Sequence, residues 1–125
     1  MVGDPVSVLV VDDQNVFRDV LAEVVRATPG MSLAGAMASG EEALGAAEEL
    51  VPALVLMDKR MPGMGGIVAG RALVDRHPGI VVVLVSVEEV DAATLTESGA
   101  AAYLPKRELS PAALRAVWEV HGRVS

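Results

Sequence analysis

Five short runs rich in valine and leucine, separated by alanine-rich stretches of helical length, constrain this chain more than any other feature. The runs cover residues 6–11, 32–37, 54–57, 80–85 and 101–104. They stay apolar along their length instead of alternating with polar residues, the pattern of strands covered on both faces. Valine (22 residues) and alanine (19) supply about a third of the 125 positions, valine gathered in the runs and alanine between them. Such segregation predicts strands alternating with helices.

The segments between the runs carry helix punctuation. Ser39-Gly40-Glu41-Glu42 reads as a capping box that opens a helix reaching about Leu50, before Pro52. Ser110 followed by Pro111 reads as an N-cap with proline at the first helical position, and Gly122 closes that helix. The first helix is expected over about 15–28, with Phe17, Leu21, Val24 and Val25 inward and Pro29-Gly30 ending it. The third is expected from near Gly66 to Arg76, ended by His77-Pro78-Gly79. A fourth, within 90–98, is expected to be short, because Thr94 and Thr96 are weak helix formers and Gly99 stops it. One strand-helix unit repeated five times predicts a single α/β domain over residues 1–125, with a parallel sheet, helices on both faces and right-handed crossovers. In such a sheet, ligands bind beyond the carboxyl ends of the strands.

Composition removes several classes of chemistry. There are no cysteines, and the only two histidines, His77 and His121, stand 44 positions apart, which disfavours disulfides, thiolate zinc and histidine-built metal sites. A net charge of −7 and a pI near 4.7 repel phosphate backbones, so no direct binding of nucleic acid is expected. The longest apolar run, residues 80–85, is far shorter than a membrane span, and residues 1–7 lack a basic start and an apolar stretch. A cytoplasmic chain without membrane attachment is the expectation. Glu41, Glu42, Glu48 and Glu49 read as a solvated helix face, His77 and His121 as helix-end residues, Trp118 as core or interface, and Met61 and Met64 as filler.

The strand ends carry the chemistry. The first run is followed by Asp12-Asp13, the third by Asp58 and the fourth by Ser86, while Lys106 closely follows the fifth. A parallel sheet brings these five together. Three converging carboxylates either raise a pKa or recruit a cation, and an oxygen-only donor set favours Mg²⁺. A lysine and a hydroxyl opposite add donors for an anion, a combination that handles a phosphoryl group. Lys106 is one of only two lysines, against eight arginines.

The stretches Val8-Leu9-Val10-Val11-Asp12-Asp13 and Met57-Asp58-Lys59-Arg60-Met61-Pro62-Gly63-Met64-Gly65-Gly66, with Ser86 after a valine-rich strand and Tyr103-Leu104-Pro105-Lys106, closely resemble the receiver domain of two-component response regulators. The resemblance covers the whole chain. It implies a flavodoxin-like (βα)5 sandwich with a five-stranded parallel sheet in order 2-1-3-4-5. It implies that Asp58 accepts a phosphoryl group from a sensor histidine kinase. Asp13 and Asp58 would bind Mg²⁺ directly and Asp12 mainly through water, with the Arg60 backbone carbonyl as a further oxygen. Lys106 would pair with phosphoryl oxygens, Ser86 would hydrogen-bond one of them, and Tyr103 would change rotamer with Ser86. Phosphorylation would then control homodimerisation or an output domain.

Ser86-Val87-Glu88-Glu89, the lysine motif and Ser110-Pro111 resemble most the receivers that precede a helix-turn-helix DNA-binding half, which implies transcription regulation; that half is not expected within this chain. Three features depart from the usual pattern, the first being a compact stretch from Ser86 to Lys106, whose short fourth helix would alter the signalling face. Proline precedes Lys106 instead of following it, with Arg107 next. Val87 is β-branched where a small residue is usual, which would narrow the approach to Asp58. The resemblance also implies that the residues two positions beyond Asp58 and Ser86, here Arg60 and Glu88, would flank the path of a hydrolytic water, and their opposite charges are expected to pair and slow dephosphorylation. Two rival readings stay open: a pseudo-receiver or stand-alone interaction module switched by partner binding, and an aspartate-nucleophile phosphatase. Such phosphatases usually carry an acid two residues after the nucleophile, where this chain has Arg60.

Overall fold

The computed structural model describes residues 4–122. The three residues at each end, which include part of the 1–7 segment read above and the ends of the 1–125 domain, lie outside the described residues. Five strands alternate with five helices: β1 (Val6–Val11), α1 (Asn15–Ala27), β2 (Met31–Met37), α2 (Gly40–Leu50), β3 (Leu54–Asp58), α3 (Gly66–Arg76), β4 (Val81–Ser86), α4 (Ala92–Ser98), β5 (Ala102–Pro105) and α5 (Pro111–His121). A one-turn 3-10 segment, Lys106–Glu108, links β5 to α5. All strand pairs are parallel, in the order β2-β1-β3-β4-β5. The flavodoxin-like order expected from the resemblance is the one observed.

Strand alternation divides the core into two layers. Leu9, Val11, Val55, Met57, Val82 and Leu84 point to one face and are covered by Ala43, Leu44 and Ala47 of α2 and Ala69 and Leu73 of α3, with Leu95 of α4 packed at the margin. Val8, Val10, Leu54, Leu56, Val83 and Val85 point to the other, under Leu21 and Val25 of α1 and Leu114 of α5. Because both faces are covered, the central strands need no polar face, which is why they read as continuous apolar runs.

The strand boundaries differ from the expected ones at the functional edge. β3 takes in Asp58 and β4 takes in Ser86, since Asp58 pairs with Val85 and Ser86 with Pro105 in the ladder. Ile80, expected to start β4, belongs instead to the preceding turn, where its N–H donates to the His77 carbonyl at 2.9 Å, although its side chain is buried. α1 stops at Ala27 because Thr28 leaves helical geometry and its hydroxyl donates back to the Val24 carbonyl. α4 is short, as expected, yet it has a start signal: the Asp91 side chain accepts from the Thr94 N–H at 2.8 Å. The N-cap at α2 forms as read, with Ser39 Oγ accepting from the Glu42 N–H, while Glu42 Oε1 reaches one residue further back and accepts from the Ala38 N–H instead of that of Ser39. Every described peptide bond is trans, including that between Lys106 and Arg107.

Candidate functional site

Three carboxylates and one ammonium meet at the carboxyl edge of the sheet. Asp12 follows β1 and is fully buried, Asp58 closes β3 and is 6% exposed, and Asp13 is half-buried. One carboxylate oxygen from each lies within 4.8 Å of the other two. Lys106, reaching back from the 3-10 turn, sets its Nζ 3.1 Å from Asp12 Oδ2 and 3.2 Å from Asp58 Oδ1.

Local backbone fixes these groups. The Gln14 N–H donates to Asp12 Oδ1 at 2.9 Å, and Arg18 Nη1 donates to the Asp12 carbonyl at 2.8 Å, so the β1–α1 loop is tied down from its own helix. On the far side, α3 begins directly against the phosphoacceptor candidate. A Cβ at Gly66 would stand 2.2 Å from the Asp58 carbonyl oxygen, an approach only glycine permits. The Gly66 N–H donates to the Lys59 carbonyl at 3.0 Å, closing the loop on itself.

Electrostatics follow from the burial. Desolvation is the main cause that raises the Asp58 pKa from 3.8 to about 6; the Asp12 charge adds to the rise, Lys106 opposes it, and Asp13 adds a smaller push. Burial works to lower the Lys106 pKa, but its hydrogen bonds and charge attraction to Asp12 and Asp58 outweigh this and leave it raised. One ammonium thus faces three carboxylates. An oxygen-only set with surplus negative charge fits a hard divalent cation such as Mg²⁺. Asp13 and Asp58 line the adjoining pocket, whereas Asp12 lies beneath it with its two oxygens engaged by the Gln14 N–H and Lys106.

That pocket is open and has a volume of about 670 Å³. Ser86 lines it and is buried, its Oγ accepting from the Glu88 N–H at 3.0 Å. Val87, where the sequence suggested a narrowed approach to Asp58, stands on the same wall and is 73% exposed, and Asp58 lines the pocket as well. Tyr103 lies outside the pocket, half-buried on β5 against the α2–α3 layer of the core. At the mouth, Arg60 Nε donates to Glu88 Oε1 at 2.8 Å. Hydrogen bonds from Arg60 and then Lys59 lower the Glu88 pKa.

Sequence reasoning missed four contributors. Lys59 is a second partner of Glu88, at 3.4 Å. Gln14 and Arg18 brace Asp12, and the Phe17 ring centroid lies 4.1 Å from Lys106 Nζ. The usable signal was position: all but Lys59 fall within six residues of Asp12, on the loop and first turn that carry the acidic pair. Of the residues read as background, Met61 is buried in the core and Trp118 packs half-buried on the α1–α5 side. His77 lies 2.8 Å from Glu48, so Glu48 is not purely a solvated residue.

Comparison with known proteins agrees with this geometry. Residues 8–119 match the family described as the response regulator receiver domain. Response regulator GacA of Pseudomonas protegens is 45% identical over 103 residues, covering 81% of this chain and 48% of GacA. A protein-glutamate methylesterase/protein-glutamine glutaminase of Myxococcus xanthus is 38% identical over 109 residues, 85% of this chain and 31% of that protein. The chain therefore spans about half or less of the length of these relatives. The crystal structure of the response regulator domain of Thermotoga maritima CheB superposes with a TM-score of 0.81 at 28% identity, covering 97% of this chain and 99% of that one.

Proposed function

This chain belongs to the response regulator receiver domain family, and from that premise we propose that it is a phosphoacceptor switch in which Asp58 takes a phosphoryl group from a sensor histidine kinase. The observation that carries this reading is the 3.2 Å contact of Lys106 Nζ with Asp58 Oδ1 inside a cluster of three carboxylates at an open pocket.

At neutral pH, above its pKa of about 6, Asp58 is largely ionised and nucleophilic. Its carboxylate oxygen attacks phosphorus in line with the P–N bond of the phosphohistidine. That bond breaks, its electron pair returns to the imidazole nitrogen, and Asp58 becomes an acyl phosphate. Lys106 already stands beside the attacking oxygen and turns its N–H donors to the phosphoryl oxygens. Mg²⁺, held by Asp13 and Asp58, by Asp12 through water and by the Arg60 carbonyl, would supply further neutralisation of charge on those oxygens. The Ser86 hydroxyl leaves its local bond with the Glu88 N–H for a phosphoryl oxygen, and Tyr103 repacks behind it. About −1.5 to −2 of added charge is enough to bias a two-state loop and helix face.

The output is part of the same proposal. The phosphorylated chain dimerises or releases a C-terminal DNA-binding domain, acting in the cytoplasm in transcription control. The likeness to GacA supports a response-regulator context, and the likeness to part of a protein-glutamate methylesterase/protein-glutamine glutaminase leaves an output other than transcription as the alternative. In this reading the chain's own chemistry is its phosphorylation and the hydrolysis of the aspartyl phosphate to free carboxylate and inorganic phosphate.

The test is intact mass after incubation with acetyl phosphate. Wild type should gain one phosphoryl group in the presence of Mg²⁺ and none with chelator. Asp58→Asn, isosteric but with an amide in place of the nucleophile, should gain none. Equal labelling of the variant would remove Asp58 from the role.

A further inference from the structure

The Lys106 ammonium has three N–H directions to satisfy. Two lead to Asp12 Oδ2 and Asp58 Oδ1, at 3.1 and 3.2 Å. A third side is covered by the face of Phe17, whose ring centroid lies 4.1 Å from Nζ, well inside cation–π range. Phe17 is the third residue of α1, half-buried and packed on the α1–α5 core layer, so its ring is anchored from behind while its face meets the ammonium. The lysine side chain is only 14% exposed.

We propose that Phe17 is a positioning residue for Lys106: where both line the open pocket, its ring covers one side of the ammonium and holds it between Asp12 and Asp58, so that its donors are aimed where phosphoryl oxygens arrive. The proposal rests on the reading of Asp58 as phosphoacceptor. Lysine carries its charge on four rotatable methylenes and is strongly hydrated, so an ammonium with an open side is drawn toward water. A π face resists that without fixing direction. It lets Nζ slide from Asp12 toward a phosphoryl group on Asp58, a move that a third carboxylate in the same place would oppose.

A packing role and an electrostatic role separate cleanly here, because Phe17 is the only phenylalanine in the chain. Fluorinated phenylalanines incorporated throughout the protein therefore alter position 17 alone. Successive fluorines drain the ring face of negative potential with little change in shape. With acetyl phosphate as donor, acetate leaves as the phosphoryl group passes to Asp58, and the initial rate is read by intact mass. It should fall stepwise with fluorine number, by about three- to tenfold for the trifluoro ring, with the thermal midpoint nearly constant. Phe17→Leu should match the trifluoro protein, and Phe17→Tyr should recover most of the rate. Equal rates across the fluorine series overturn the proposal.

A second readout does not depend on phosphorylation. The Lys106 ammonium protons, assigned against Lys59→Arg since the chain has only two lysines, should show an upfield ring-current shift that Phe17→Leu abolishes. No such shift would refute the placement of the ring. Wild-type protein that takes up no phosphoryl group would overturn the role of Asp58 and the rate claim together, and the ammonium signal would still decide whether Phe17 holds Lys106.

Discussion

Replacing Asp58 by asparagine should make the metal-free protein more stable. In the folded chain the Asp58 pKa is about 6 against an ordinary value of 3.8, chiefly because the carboxyl is desolvated and lies beside Asp12. At about 1.36 kcal/mol per pKa unit, the ionised carboxylate costs the folded state up to about 3 kcal/mol. That is a ceiling, since Asp58 opens onto a pocket. Asparagine releases the cost and keeps an acceptor oxygen toward the Lys106 ammonium, but an amide oxygen accepts more weakly than a carboxylate, which returns about 1 kcal/mol. A net gain of about 1–2 kcal/mol remains, or roughly 3–8 °C in thermal midpoint for a domain of this size. The sign fixes the pH window. A carboxyl whose folded pKa lies above its unfolded value binds more protons when folded, so the penalty is full above pH 6 and disappears as the pH falls through 6 to 4. Thermal unfolding of wild type and Asp58→Asn in chelator should therefore show a gap at pH 7.5 that closes, and slightly reverses, as the pH falls to about 4. Saturating Mg²⁺ at pH 7.5 should narrow it by stabilising wild type. A variant no more stable than wild type at pH 7.5, or a gap that persists unchanged at pH 4, would refute the electrostatic account of the site.

Other positions give independent checks. Gly66→Ala should cost about 1–3 kcal/mol and displace Asp58, because the new Cβ would meet the Asp58 carbonyl oxygen at 2.2 Å; the thermal midpoint and the phosphorylation rate should fall together. Val51 ends α2 in a left-handed conformation (φ 42°, ψ 62°) while 63% exposed, so Val51→Asn should gain about 1 kcal/mol in chemical denaturation. Asp13→Ala should abolish Mg²⁺-dependent changes in NMR spectra; their survival would place the metal elsewhere. Arg60→Ala and Glu88→Ala should each shorten the phosphoryl half-life, with a non-additive double mutant and a smaller effect at high salt, since the pair is exposed at 2.8 Å. Identical half-lives in all four proteins would remove the shielding role.

What the sequence disclosed depended on which physical rule governed each residue. Asp12, Asp13, Asp58, Ser86 and Lys106 were legible because a parallel sheet sends the end of every strand to one edge, so position along the chain fixed position in space. Phe17 was read as core, and it does pack there, but its second face is visible only once Lys106 returns from the other end of the chain. The Lys59 contact with Glu88 likewise depends on the reach of two long side chains across neighbouring strand ends. Val51 was unreadable because nothing local favours a left-handed β-branched residue; the turn into β3 imposes it. The start of α4 was readable and missed: Asp91 stands three residues before Thr94 as a cap should, but the two threonines outweighed it. Strand ends shifted by one residue where ladder pairing extended past the apolar run, as at Asp58 and Ser86.

The central claim is that the phosphoryl group resides on Asp58, and hydride trapping tests it at the residue itself. Borohydride reduces an aspartyl phosphate to homoserine and leaves free carboxylates unchanged. Protein treated with acetyl phosphate and Mg²⁺, reduced, digested and mapped by mass spectrometry should carry homoserine at position 58 and nowhere else. Homoserine at position 12 or 13, or its absence from every peptide of protein that has gained a phosphoryl mass, would contradict the account.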